Sequence, residues 1–170
     1  MLRTSESARF AKAQHRITVP KPVIAYRSSF RFDASPKQLW DRIEELDLFE
    51  LWFPWLSDFR FDGDGLSAGT VLNGVVTPPL PYRMQLRIEI DQSERPSSID
   101  ATIGGDLTGN AHIRIHPVPD GAMAEVSWSV EMRQPIMRIA CRLGRPLLQW
   151  GHDRVVEITV ANFRQRIEGA

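Results

Sequence analysis

The sequence predicts an α+β domain: an antiparallel sheet of six or seven strands with its helices on one face. Three observations predict it. Successive segments between residues 24 and 132 alternate apolar and polar side chains with period 2, as expected for an antiparallel sheet buried on one face. A short amphipathic stretch interrupts them once, after the first strand. One long helical pattern, Arg145 to Ile167, then follows about a hundred residues of nearly unbroken strand pattern.

Residues 1–20 read as an N-terminal arm, frayed or partly helical. Their Arg and Ser content loosely suggests a transit peptide, but they hold no apolar h-region of a secretory signal. Pro20 and Pro22 close the arm, so one compact domain spans 21–170. Ile24, Tyr26, Phe30 and Phe32 alternate with Arg27, Ser29 and Arg31, which predicts a half-buried strand. Ser35-Pro36 supplies a helix N-cap and a proline at the first helical position. Leu39, Trp40, Ile43 and Leu46 form the stripe of that helix, to about Leu46. The aromatic run Leu48–Leu56, broken by Pro54, predicts a second short helix or helical turn.

Asp62-Gly63-Asp64-Gly65 is a turn by its dipeptides, and Gly69–Thr77 is a strand. Pro78-Pro79-Leu80-Pro81 is a stiff loop. In Tyr82–Asp91, Tyr82, Met84, Leu86, Ile88 and Ile90 point inward. Ile99, Ala101 and Ile103 repeat the pattern up to Gly104-Gly105, and Ala111, Ile113 and Ile115 repeat it again. Asp120-Gly121 marks a hairpin turn, and Val126, Trp128, Val130 and Met132 form the last strand.

Composition narrows the function. Lys plus Arg and Asp plus Glu both number 21, which argues against a nucleic-acid partner or an anionic membrane surface. Arg and Glu/Asp mix on the outward strand positions, so cross-strand pairs are expected there. The single cysteine, Cys141, rules out an intramolecular disulfide and a multi-thiolate metal site; a reducing, cytoplasmic setting is compatible. No run of ~18 apolar residues is present, so no membrane span is expected. No nucleotide, metalloprotease or nucleophile-elbow motif occurs, and no cofactor or metal is expected. His112 and His116 share an outward strand face but stand roughly 13 Å apart, too far to chelate one ion. Asp62 and Asp64 lack the other oxygen ligands of a calcium loop.

The long helix carries the strongest candidates. At ~100° per residue, Leu148, His152, Val155 and Thr159 centre one face, with Asn162 on its flank. Asp153, Arg154, Glu157, Arg164 and Glu168 gather on the opposite face. His152 is therefore either a pocket group that binds or protonates a ligand carbonyl, or a core histidine with a structural partner. Asp153 lies ~100° away and cannot pair with it on one face. Thr159 and Asn162 extend a polar track along the same side, or are satisfied groups near a helix end. Trp52 and Trp55 are core or the lid of a pocket mouth, and Met84 and Trp128 face inward where a cavity would lie.

Several motifs resemble the START-like, polyketide-cyclase-like (SRPBCC) superfamily over about residues 24–168. Phe32-Asp33-Ala34-Ser35-Pro36-Lys37-Gln38-Leu39-Trp40 is similar to its strand-to-helix opening. Gly105-Asp106-Leu107-Thr108-Gly109 resembles the turn before the penultimate strand. Trp150-Gly151-His152-Asp153 resembles the start of the long helix. The resemblance implies a helix-grip fold, in which a curved sheet wraps the C-terminal helix around an apolar cavity. With that pocket, binding of a small hydrophobic or aromatic molecule, such as a lipid or polyketide, is expected, and the protein is expected to be a monomer or homodimer. Trp52, Trp55, Met84, Trp128, His152, Val155, Thr159 and Asn162 are the expected ligand-binding residues. The alternative is a cyclase/aromatase-like or dehydratase enzyme with His152 as general acid or base. A third reading is an interaction module that docks a partner through the arm and the outer sheet.

Overall fold

The computed structural model describes residues 23–78, 83–133 and 145–168, with side chains in the last segment described for residues 150, 154–165 and 167. The expected arm, part of the proline loop, Cys141 and the side chain of His152 lie outside the described residues.

The alternation folds as expected into one antiparallel sheet. Strand β1 (Val23–Phe32) precedes helix α1 (Pro36–Ile43), a 3-10 turn at Leu46–Leu48 and the short helix α2 (Phe49–Trp52). Six strands follow: β2 (Leu56–Asp62), β3 (Val71–Val76), β4 (Met84–Glu94), β5 (Ser98–Gly105), β6 (Leu107–Val118) and β7 (Gly121–Met132). Helix α3 (Arg145–Glu168) comes last. The strand order is β1-β7-β6-β5-β4-β3-β2, so the first strand closes against the last and β1 and β2 are the open edges.

Helix α1 starts where its sequence says it should. The Ser35 hydroxyl accepts from the Gln38 amide at 3.3 Å, and the Gln38 side chain accepts from the Ser35 amide at 2.9 Å. This reciprocal box satisfies two amides that a helix end otherwise leaves orphaned. The helix stops at Ile43, short of the expected Leu46, and the chain tightens into the 3-10 turn. Leu39 and Trp40 are fully buried, packed with Phe32, Leu46, Leu66, Leu72, Ile90, Ile99, Ile115, Ala122 and Ala124.

Strand β2 corrects the sequence reading, which had a helical turn running to Leu56 and no strand before Asp62. The β2–β3 register shifts between Ser57 and Arg60, and Asp58 takes a φ of 53°. A bulge of this kind breaks the period-2 signal.

Candidate functional site

The inward face of the sheet is packed at both ends and looser between them. Along β7, Ala122 and Ala124 are buried, Val126 and Trp128 are half-buried, and Val130 and Met132 are buried again. Residues that share a face of one strand should share its burial, so the dip marks a place where less covers the sheet. The larger apolar cluster lies under α1. The smaller one joins Val76, Met84 and Met132, with Ile24, Trp55, Leu56, Leu86 and Leu107 against it.

Tyr26 and Trp128 occupy the gap. They are direct cross-strand partners, and their rings stack with centroids 4.3 Å apart at 23°. The same row continues through half-buried Ala111 to Ala101, which is already buried in the larger cluster. At Gly109 the backbone itself comes close: a β-carbon there would stand 1.9 Å from the Ser129 carbonyl oxygen. The floor is thus an aromatic pair next to a shallow strip of small residues.

Helix α3 packs against β1, α1 and α2. Phe163 meets Phe32 edge-on at 5.9 Å and Trp52 at 5.5 Å, and Ile167 joins the larger cluster. Arg164, exposed on the helix, donates to the Arg31 carbonyl at 3.1 Å and lies over the Phe32 ring. Two polar groups of the helix reach the aromatic corner after α1. Trp55 Nε1 donates to Thr159 Oγ1 at 3.1 Å, and Asn162 Nδ2 donates to the Trp52 carbonyl at 3.1 Å. These bonds hold the α2–β2 corner to the helix across 104 and 110 residues of chain. The Trp52 indole N–H is buried without a partner among the described residues, a costly state for a donor.

The expected residues therefore fall into groups. Trp52, Trp55, Thr159 and Asn162 meet at one corner. Met84 lies in the smaller packed cluster, against which Trp55 also packs, and Val155 is half-buried on the helix. Trp128 sits on the floor with Tyr26. Tyr26 was not among the expected binding residues, although its inward phase was readable; its pairing with Trp128 needs the β1–β7 adjacency.

The outer face bears charge in pairs, as expected. Asp100 Oδ1 is 2.6 Å from His112 Nδ1, and Arg114 Nη2 donates to both Asp100 oxygens at 2.7 and 3.0 Å. These two partners, His112 first, hold the Asp100 carboxyl below its ordinary value of 3.8. Asp41 is likewise lowered by hydrogen bonds from Lys37 and Arg95. Among the described residues no cluster of His, Cys, Asp or Glu could hold a metal ion. No helix among them is long and apolar enough to cross a membrane. A polar cleft of about 540 Å³, lined by Trp40, Glu44, Asp64, Gly65, Ser93 and Arg95, opens beside α1 and is not part of the sheet–α3 interface. The sequence carried no signal for it, because its walls come from three separate stretches of the chain.

Residues 23–168 match the model of a family described as polyketide cyclase / dehydrase and lipid transport. No curated protein sequence matches alongside it. Solved structures share the fold at low identity. TTHA0849 from Thermus thermophilus is 16% identical, covering 86% of this chain and 98% of its own, with a TM-score of 0.69. The di-domain ARO/CYC BexL of the BE-7585A biosynthetic pathway is also 16% identical, covering 89% of this chain and 52% of its own, with a TM-score of 0.68. Norcoclaurine synthase from Thalictrum flavum, solved with dopamine and hydroxybenzaldehyde, is 13% identical over 88% of this chain and 90% of its own, with a TM-score of 0.60. With a family match over nearly its whole length and a helix-grip arrangement of seven strands and a C-terminal helix, the chain belongs to the polyketide cyclase / dehydrase and lipid transport family.

Proposed function

We propose that this protein binds a small hydrophobic or aromatic molecule between the concave face of its sheet and α3. One observation carries the reading: the stacked Tyr26–Trp128 pair is only half-buried, between two packed clusters on the face that α3 covers. An aromatic group that buries roughly 200 Å² there gains about 5 kcal/mol from desolvation. Trp52, Trp55, Met84, Val155 and Thr159 border the space in this proposal. Asn162 has one amide hydrogen committed to Trp52, and its other polar positions serve to orient the ligand. The protein acts in the cytoplasm as a monomer or homodimer, without nucleic acid.

The test is native mass spectrometry of freshly purified protein, followed by denaturing extraction. A reproducible mass excess from a lipophilic compound supports the proposal and names the ligand's class. Protein that stays ligand-free when offered a panel of aromatic and lipid compounds overturns it.

A second reading, cyclase or dehydratase chemistry on a bound poly-carbonyl chain, rests on His152. By spacing, His152 shares a helix face with Val155 and Thr159, about 10 Å along the axis from Thr159. In that reading it is the general acid or base. Turnover that survives in His152→Ala removes the histidine from the mechanism.

A further inference from the structure

On the outer face of the sheet, four strands bring Asp100, His112, Ser127 and Arg27 into one cross-strand row. Asp100 opposes His112, His112 opposes Ser127, and Ser127 opposes Arg27. A cleft of about 400 Å³ opens over the row, lined by Ala25, Arg27, His112, Ser127 and Ser129 and by the strand segments at Tyr26 and Trp128 that run between them. Among the described residues no acidic one lines it. We propose that this cleft is an oxyanion-binding site, suited to a phosphate or carboxylate group.

The chemistry of the row supports this. Arg27 makes no ion pair among the described residues, so its guanidinium fork is available for a bidentate anion. Ser127 and Ser129 add two hydroxyl donors on the same strand face. Asp100, itself held by Arg114, fixes the His112 ring through Nδ1. That leaves Nε2 directed away from Asp100. Among the described residues no hydrogen bond joins Ser127 to His112, so the row lacks the nucleophile–base pair that hydrolysis would need.

The charges around His112 are limited in number. Asp100 faces it from β5, Arg114 and His116 lie along β6, Glu125 lies on β7 beyond Ser127, and Arg27 lies on β1. Arg114 is engaged by Asp100, and Glu125 lies 3.7 Å from His116. Glu131, two residues past Ser129, bounds the other end on β7.

The test is an amide NMR titration of the full chain with inorganic phosphate and, separately, acetate at one neutral pH. The expected result is saturable shifts at Arg27, His112, Ser127 and Ser129. Arg27→Gln should weaken binding by about tenfold or more. This position is on the exposed sheet face, and preserved amide dispersion checks that the variant folds. Tighter phosphate binding assigns the site to phosphorylated ligands, and tighter acetate binding assigns it to carboxylates. Non-saturating shifts spread over many arginines, or unchanged binding in Arg27→Gln, overturn the proposal.

Discussion

Two regions of the sheet's inner face, one under α1 and one midway along it, have the same alternation and different packing. Under α1, the capped helix lowers Leu39 and Trp40 onto Phe32, Ala122 and Ala124, and the space is filled. Farther along β1 and β7, Tyr26 and Trp128 have the same inward phase but remain half-buried. Inward direction is thus a property of the strand, while burial is set by what lies across from it. The region under α1 behaves as a core and the middle region as a wall.

Substitutions in the two regions should separate these roles. The largest stability effect is expected for Trp40→Ala, which deletes a side chain only 1% exposed. It should cost about 3–5 kcal/mol in urea unfolding, with the cavity adding to the lost transfer energy. Trp128→Ala should cost only about 1 kcal/mol, mainly the stacking with Tyr26, yet weaken a fluorescent apolar probe by about tenfold or more. Equal stability losses at the two positions would erase the distinction between core and wall.

A smaller effect is expected at the corner that joins the halves. Asn162→Ala removes the bond to the Trp52 carbonyl and should lower stability by about 1 kcal/mol in the same assay. Unchanged stability would mean that the corner is held by ring packing alone.

The smallest effect is on the outer face, through pH. Hydrogen bonds from His112 and Arg114 hold the Asp100 carboxyl below its ordinary value in the folded state. Its contribution is therefore complete above the unfolded-state value of a carboxyl and is lost as pH falls through the folded one. Asp100→Asn should flatten that part of an acid unfolding profile. An unaltered acid limb would show that other carboxylates dominate it.

Much of the fold was legible in the residues. Ser35, Pro36 and Gln38 act within four positions of one another, so the start of α1 could be read locally. The strand faces could be read from period 2. Strand β2 was hidden because its bulge places the apolar phase out of step. The inward phase of Trp128 was visible, but its stack on Tyr26 was not, since nothing local says that the first strand pairs with the last. Thr159 and Asn162 stood out as polar groups on an apolar helix face, but their partners lie more than a hundred residues away.

By itself, then, the sequence determined the elements, their faces and their caps, because periodicity and capping are decided by neighbours a few residues apart. Only the tertiary structure decided that β1 closes on β7, that Trp52 and Trp55 take the polar groups of α3, and that Asp100, His112, Ser127 and Arg27 share a row. Those juxtapositions depend on strand order and register, which are set by the burial of the whole sheet and by no single segment of it.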